Sequence, residues 1–194
     1  MTESERRTEI LEAVERLLAR GGINAVTMRA VATEAGVSLR LVQYYGSTKD
    51  ELLRATLNSH ADKSVERWRA RARQQESGSP LELIKTFLVE ALPNDPVSLD
   101  FHRLGIAMEE LAISTPGVAG QAYQKHLSGL AAHLAERLRP DDLRTGPAAR
   151  LLALEVMGLA HGVGTLLMTG QLSEPDAQVL IKNYLERLGP QLPI

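Results

Sequence analysis

Along nearly the whole chain apolar residues recur three and four positions apart, and no segment alternates with a period of two. That spacing lines one face of an α-helix and leaves no candidate strand, so the expected fold class is all-α. Ile10, Val14, Leu17 and Leu18 form the first stripe, which Gly21 and Gly22 stop. Thr27 is placed to cap a short helix through Glu34, ended by Ala35-Gly36, and Ser38 to cap another over Leu39–Tyr45. Thr48 and Glu51 make a capping box, in which each side chain can satisfy an amide at the helix start. Leu53, Leu57, Ala61, Val65, Trp68 and Ala72 then keep one face for several turns, which predicts a long helix. Ser79-Pro80, Asp95-Pro96 and Thr115-Pro116 each give a cap followed by proline at the first helical position, where the missing N–H is no loss. A loop is expected over 140–147, and helices over 81–92, 97–113, 117–138, 147–169 and 174–188.

Composition narrows the class of function. The 194 residues, 44% of them apolar, suit one sizeable core or two modest ones. There is no cysteine, hence no disulfide framework, thiolate metal site or cysteine nucleophile. The start, MTESERRTEI, is charged and lacks the apolar run of a secretory signal, which predicts a cytoplasmic protein. The most apolar stretch, 151–168, is interrupted by Glu155 and His161 and contains three glycines, so it reads as a buried helix, with no membrane partner expected. The net charge of −2 disfavours non-specific coating of nucleic acid but is compatible with a small local DNA site.

Signs of catalysis are absent from the sequence. There is no Gly-rich phosphate loop, HExxH or G-x-S-x-G turn. His126 and His133 stand two helical turns apart, too far to share one metal, and the adjacent Glu109 and Glu110 point to different sides. No enzyme activity, catalytic residue, metal or cofactor is expected.

Residues 27–45 instead follow a helix, tight turn, helix plan. Gly36 sits in the turn, Ala32 stands four residues before it, and Val31, Ala35, Val37 and Val42 supply a small apolar seam. In the helix-turn-helix, the second helix of such a pair enters the DNA major groove. The run 10–57, with ILEAVERLL, the glycine pair, TMRAVATEAGVS, VQYY and TKDELL, resembles the N-terminal domain of the TetR family of transcriptional regulators. Farther on, MGLAHGVGTLLMTGQLSEPDA is similar to that family's penultimate-helix stretch.

The resemblance implies that the helix 38–45 reads DNA. Leu39, Arg40, Gln43 and Tyr45 then project from its exposed side as base readers if Val42 faces inward. Arg suits guanine, Gln suits adenine, and Leu39 suits a thymine methyl. Thr27, Arg29, Tyr44 and Lys49 are the implied phosphate contacts, and Arg6-Arg7 is a candidate arm. Where the family commonly carries Phe or another bulky apolar residue after the tyrosine pair, this chain has Gly46. A neighbouring side chain, Tyr44 or Tyr45 among the candidates, is expected to fill that space. If Tyr45 turns inward to do so, it ceases to be a base reader.

The resulting expectation is an N-terminal three-helix helix-turn-helix DNA-binding domain, 1–50, joined by a long helix to a helical ligand-binding and dimerisation domain, 51–194. The penultimate helix is apolar nearly all round and must be covered on more than one side. Leu154, Gly158, Gly162 and Leu166, with Ile181, Tyr184, Leu185 and Leu188 of the last helix, are the expected interface of a homodimer. The resemblance also implies a small-molecule pocket in the middle helices. Its candidate lining is Trp68, Phe101, His102, Leu104, Met108, Leu111, Tyr123, His126, Leu127, His161 and Val163, with Glu109 as a further polar candidate. The expected function is a dimeric repressor of a palindromic double-stranded DNA operator, released by a small-molecule effector. A transcriptional activator of the same fold, and a helical ligand-binding dimer without DNA binding, stay open as alternatives.

Overall fold

The computed structural model describes residues 3–74, 79–114, 117–138 and 146–192. Among these there is no strand, and the chain forms α1 (Glu3–Ala25), α2 (Met28–Glu34), α3 (Leu39–Tyr45), α4 (Lys49–Gln74), α5 (Pro80–Glu90), α6 (Pro96–Ser114), α7 (Val118–Arg137), α8 (Gly146–Met168) and α9 (Glu174–Leu188). The fold is all-α, with a three-helix helix-turn-helix head followed by the long α4. Thr115-Pro116 and most of the loop expected at 140–147 lie outside the described residues, as does the side chain of Trp68. Two compact units result, one of Met1–Ser64 with Asp100–His126 and one of Val65–Leu99 with Leu127–Ile194.

Local chemistry sets the helix ends in the first unit. The glycine pair breaks α1, with Gly22 at φ 62, ψ −162, a conformation that only glycine adopts at low cost. Thr27 caps α2 by accepting from the Ala30 amide at 3.1 Å, and Ser38 caps α3 by accepting from Leu41 at 3.2 Å. Between them lies a Schellman turn. Val37 N–H donates to Ala32 O at 3.0 Å and Gly36 N–H to Thr33 O at 3.2 Å, with Gly36 at φ 65. At the start of α4, Glu51 N–H donates to Thr48 Oγ1, while the Glu51 carboxylate reaches past Thr48 to the Ser47 amide at 2.8 Å.

The head closes over Ile10, Val14, Val26, Val31, Val42, Leu52 and Leu53, each at most 1% exposed. Burying side chains of this size stabilises by about 1.5–3 kcal/mol each before conformational entropy is counted. Arg16 and Arg20 of α1 both pair with Glu34 at the end of α2, Arg16 Nε at 2.8 Å. Those guanidiniums, Arg16 first, hold the Glu34 carboxyl below its ordinary value. A depressed carboxyl contributes stability that is present above its unfolded value and lost as pH falls through the folded one. The urea midpoint of wild type is therefore expected to exceed that of Glu34→Gln near neutral pH. The gap should close on acidification below the usual carboxylate range, and a gap independent of pH would contradict the pairing.

The first unit also holds a joint that no local signal announces. The Asp50 carboxylate, in the first turn of α4, accepts from the Val118 amide at 2.5 Å and the Ala119 amide at 3.1 Å, so it caps α7 from 68 and 69 residues away. Gly117 allows this approach, because a Cβ there would stand 2.9 Å from Asp50 Oδ2.

In the second unit Ile84 and Leu88 of α5, Leu134 and Leu138 on and just past α7, Ala153, Val156, Ala160 and Val163 of α8, and Ala177, Ile181 and Leu188 on α9 form one core. The side of α8 away from this core is also apolar: Leu151 is 62%, Leu154 39% and Leu166 42% exposed, with Gly158 among them. The Tyr184 phenol ties α9 to α8 by donating to Glu155 Oε1 at 3.1 Å. Burial and that carboxylate push its pKa up.

Candidate nucleic-acid interface

α3 has seven residues, and which of them face outward is decided by one contact. Val42 is fully buried in the head, so Arg40 and Gln43, two before and one after it, are carried to the exposed side. Both remain available to base edges, since no described residue takes the Arg40 guanidinium or the Gln43 amide. Leu39, at the first position of α3, is half-buried. Tyr45 is half-buried too, and its phenol donates to the Glu3 carbonyl at 3.1 Å, so the ring is turned toward α1. Tyr44 is 71% exposed and its phenol donates to the Glu3 carboxylate at 3.2 Å. The two rings meet edge to face with centroids 5.1 Å apart.

Around α3 stand the expected phosphate contacts. Thr27 and Arg29 are exposed at the start of α2. Thr27 accepts a hydrogen bond as a cap, and a hydroxyl that accepts can still donate. Lys49 donates through Nζ to the Ile23 carbonyl, in the last turn of α1 beyond its glycine break. An ammonium has three N–H donors, so this bond leaves two for a phosphate. Arg6 and Arg7 lie within α1, exposed on its first turns, and are helical there, not a loose arm.

The space at Gly46 is filled by Leu52, and neither tyrosine occupies it. Gly46 is buried, and a Cβ on it would stand 2.7 Å from Leu52 Cδ2 and 2.8 Å from Leu52 Cγ. Its backbone is extended (φ −164), which any residue adopts, so close approach alone is what requires glycine. Leu52 lies outside the apolar stripe that periodicity marks on α4 from Leu53, so the sequence carried no signal of this role.

The expected pocket residues divide between the units. In the first, Leu104, Met108 and Tyr123 are buried, with Phe101, His102, Leu111 and His126 half-buried on α6 and α7. A Cβ at Gly105 would lie 3.8 Å from the Tyr123 hydroxyl, which places that phenol against α6. Burial, with Glu109 nearby, pushes the Tyr123 phenol up to about 12, and burial lowers His126. In the second unit Leu127 is half-buried, Val163 belongs to the core and His161 is exposed. The expected dimer residues divide as well. Ile181 and Leu188 are spent on the unit's own core, Tyr184 and Leu185 pack against it, and Gly162 is half-buried, while Leu154, Gly158 and Leu166 are exposed.

Residues 10–56 match the family of bacterial regulatory proteins described as the tetR family. Over 186 residues the chain is 26% identical to the HTH-type transcriptional regulator BetI of Burkholderia thailandensis, covering 94% of this chain and 93% of the relative. A crystal structure of a transcriptional regulator from Rhodococcus superposes with a TM-score of 0.82 at 21% identity, covering 100% of this chain and 99% of that one. A Saccharomonospora viridis regulator crystallised with choline superposes with a TM-score of 0.75 at 21% identity, over 96% of each chain.

Proposed function

The chain belongs to the TetR family of transcriptional regulators, and from that premise we propose that it is a homodimeric repressor that occupies a palindromic operator and leaves it when a small molecule binds. The observation that carries the DNA-reading part is the fixed orientation of α3. With Val42 locked inward, Arg40 and Gln43 face outward from a helix anchored at both ends. Both can pair bidentately, Arg40 with guanine and Gln43 with adenine, and Leu39 can add a methyl contact. Thr27, Arg29, Tyr44 and Lys49 supply sequence-independent phosphate contacts. Residues 1–50 are the DNA-binding domain in this reading and 51–194 the sensing and pairing domain, in a cytoplasmic protein.

Pairing is supported by the outward face of α8. Leu151, Leu154, Gly158 and Leu166 leave an apolar strip on the surface, and a Cβ at Gly158 would meet nothing within 4 Å. Open grooves of about 570 Å³ lie against α8, one beside Leu127, Ala131 and Leu154 and one beside Leu151, Tyr184 and Leu188. A strip of this kind on a water-soluble surface calls for a cover, and a second copy supplies an identical strip across a two-fold axis. Effector control is supported by the choline complex of the Saccharomonospora viridis protein and by the buried Tyr123 with His126 and Glu109 near it. An effector acts only through better affinity for the form that binds DNA poorly.

The test is selection of duplexes from a random pool by the purified protein, then anisotropy titration of the winner over several salt concentrations. A two-fold symmetric sequence bound at least ~10³-fold tighter than random DNA is expected. Failure to enrich any sequence would overturn the reading and favour a ligand-binding dimer without DNA binding. On the selected duplex, Arg40→Ala should cost about 1–3 kcal/mol and relax preference at one half-site position. Lys49→Ala should weaken all duplexes alike and flatten the salt dependence. Equal weakening of every duplex by Arg40→Ala would contradict this division of contacts.

A further inference from the structure

The first residue of α1 takes both tyrosines of α3, in two different ways. Tyr45 donates to the main-chain carbonyl of Glu3, a bond that survives any substitution there. Tyr44 donates to the Glu3 carboxylate, and this ring is 71% exposed, on the head that must approach DNA. A phenol carries one O–H, so it cannot serve the carboxylate and a phosphate oxygen together. Lys49 differs, because its ammonium can hold the Ile23 carbonyl and a phosphate at once. At Tyr44 the occupant is also an anion, standing where the phosphate of the DNA reading has to come.

We propose that Glu3 is a built-in competitor of the DNA backbone, whose carboxylate must leave the Tyr44 phenol before a phosphate can take its place. This rests on the operator-reading function proposed above and adds to it a residue that sets affinity. The competition involves no base, so Glu3 sets the level of binding to all duplexes and leaves operator choice to α3. Release is cheap, because Arg6 and Arg7 stand three and four positions along the same helix, within reach of the freed carboxylate. The nearby Glu3 carboxylate raises the Tyr44 pKa, as an anion held against a phenol does.

The experiment is an anisotropy titration of the selected operator and of a random duplex with wild type, Glu3→Ala, Tyr44→Phe and the double variant, at low and high salt. Glu3→Gln is included because it keeps an acceptor for the phenol and so preserves the fold while removing the charge. Glu3→Ala is expected to tighten both duplexes by the same factor, roughly 2–5-fold at low salt, the range of a single exposed charge pair, and Glu3→Gln, whose amide oxygen still holds the phenol, by a smaller one. The gain should shrink as salt screens it and vanish in the Tyr44→Phe background, where there is no O–H to contest. Equal gains with and without the phenol would overturn the proposal in favour of a long-range charge effect. So would wild-type affinity in Glu3→Ala on a duplex that wild type binds, with the operator reading left standing. If neither protein bound any duplex, the operator reading and the competition would fall together.

Discussion

Leu52→Ala is expected to destabilise the protein by about 2–5 kcal/mol and Gly46→Phe by about 1–3 kcal/mol, and the two combined by less than their sum. Leu52 is fully buried, so truncating it removes transfer energy and leaves a cavity. Gly46 is buried against the same side chain, with 2.7 Å between a Cβ and Leu52 Cδ2, so any larger residue must push Leu52 aside. Leucine from α4 thus fills the space beside Gly46. Trading which position supplies the bulk should restore part of the packing. Urea unfolding followed by circular dichroism measures this, at one fixed protein concentration because any self-association would shift the midpoint. Strict additivity of the two losses would show that the side chains do not share one space.

Leu154→Arg, alone or with Leu151→Arg, is expected to convert the proposed dimer to a folded monomer that has lost affinity for the proposed operator by ~10²–10⁴-fold. That loss is the avidity forfeited when two half-sites are no longer engaged by one linked molecule. Both side chains are exposed in the single chain, Leu151 at 62% and Leu154 at 39%, so charge there leaves the core intact. At a packed interface the same guanidinium would be buried unpaired, and that is a large cost. Sedimentation velocity reads the oligomeric state and circular dichroism the fold. A dimer of unchanged affinity carrying both substitutions would rule out this face of α8 as the pairing surface.

Much of the head was legible because its signals are short-range. Thr27, Ser38 and Thr48 cap amides three residues ahead, and Gly36 makes its turn with residues immediately before it. With Val42 inward, helical spacing pointed to four outward residues on α3, of which Arg40 and Gln43 are exposed while Leu39 and Tyr45 are half-buried. The last two helices were legible as apolar, but not which apolar face the chain's own core covers. Ile181 and Leu188 went to the unit's own core while Leu154 and Leu166 stayed outside. Periodicity states that a stripe is buried and does not name what buries it.

The sequence by itself determined the described helices with their caps and turns, because each depends on residues within a few positions and on backbone stereochemistry. Only the tertiary structure decided that Leu52 fills the space at Gly46, that Asp50 caps α7, and that Glu3 holds Tyr44 and turns Tyr45 toward α1. The physical reason is separation along the chain. The Glu3 and Asp50 contacts join groups 41 to 69 residues apart, and Leu52 meets Gly46 only because the turn before α4 folds back. A carboxylate or a leucine carries no mark of its distant partner until packing brings the two together.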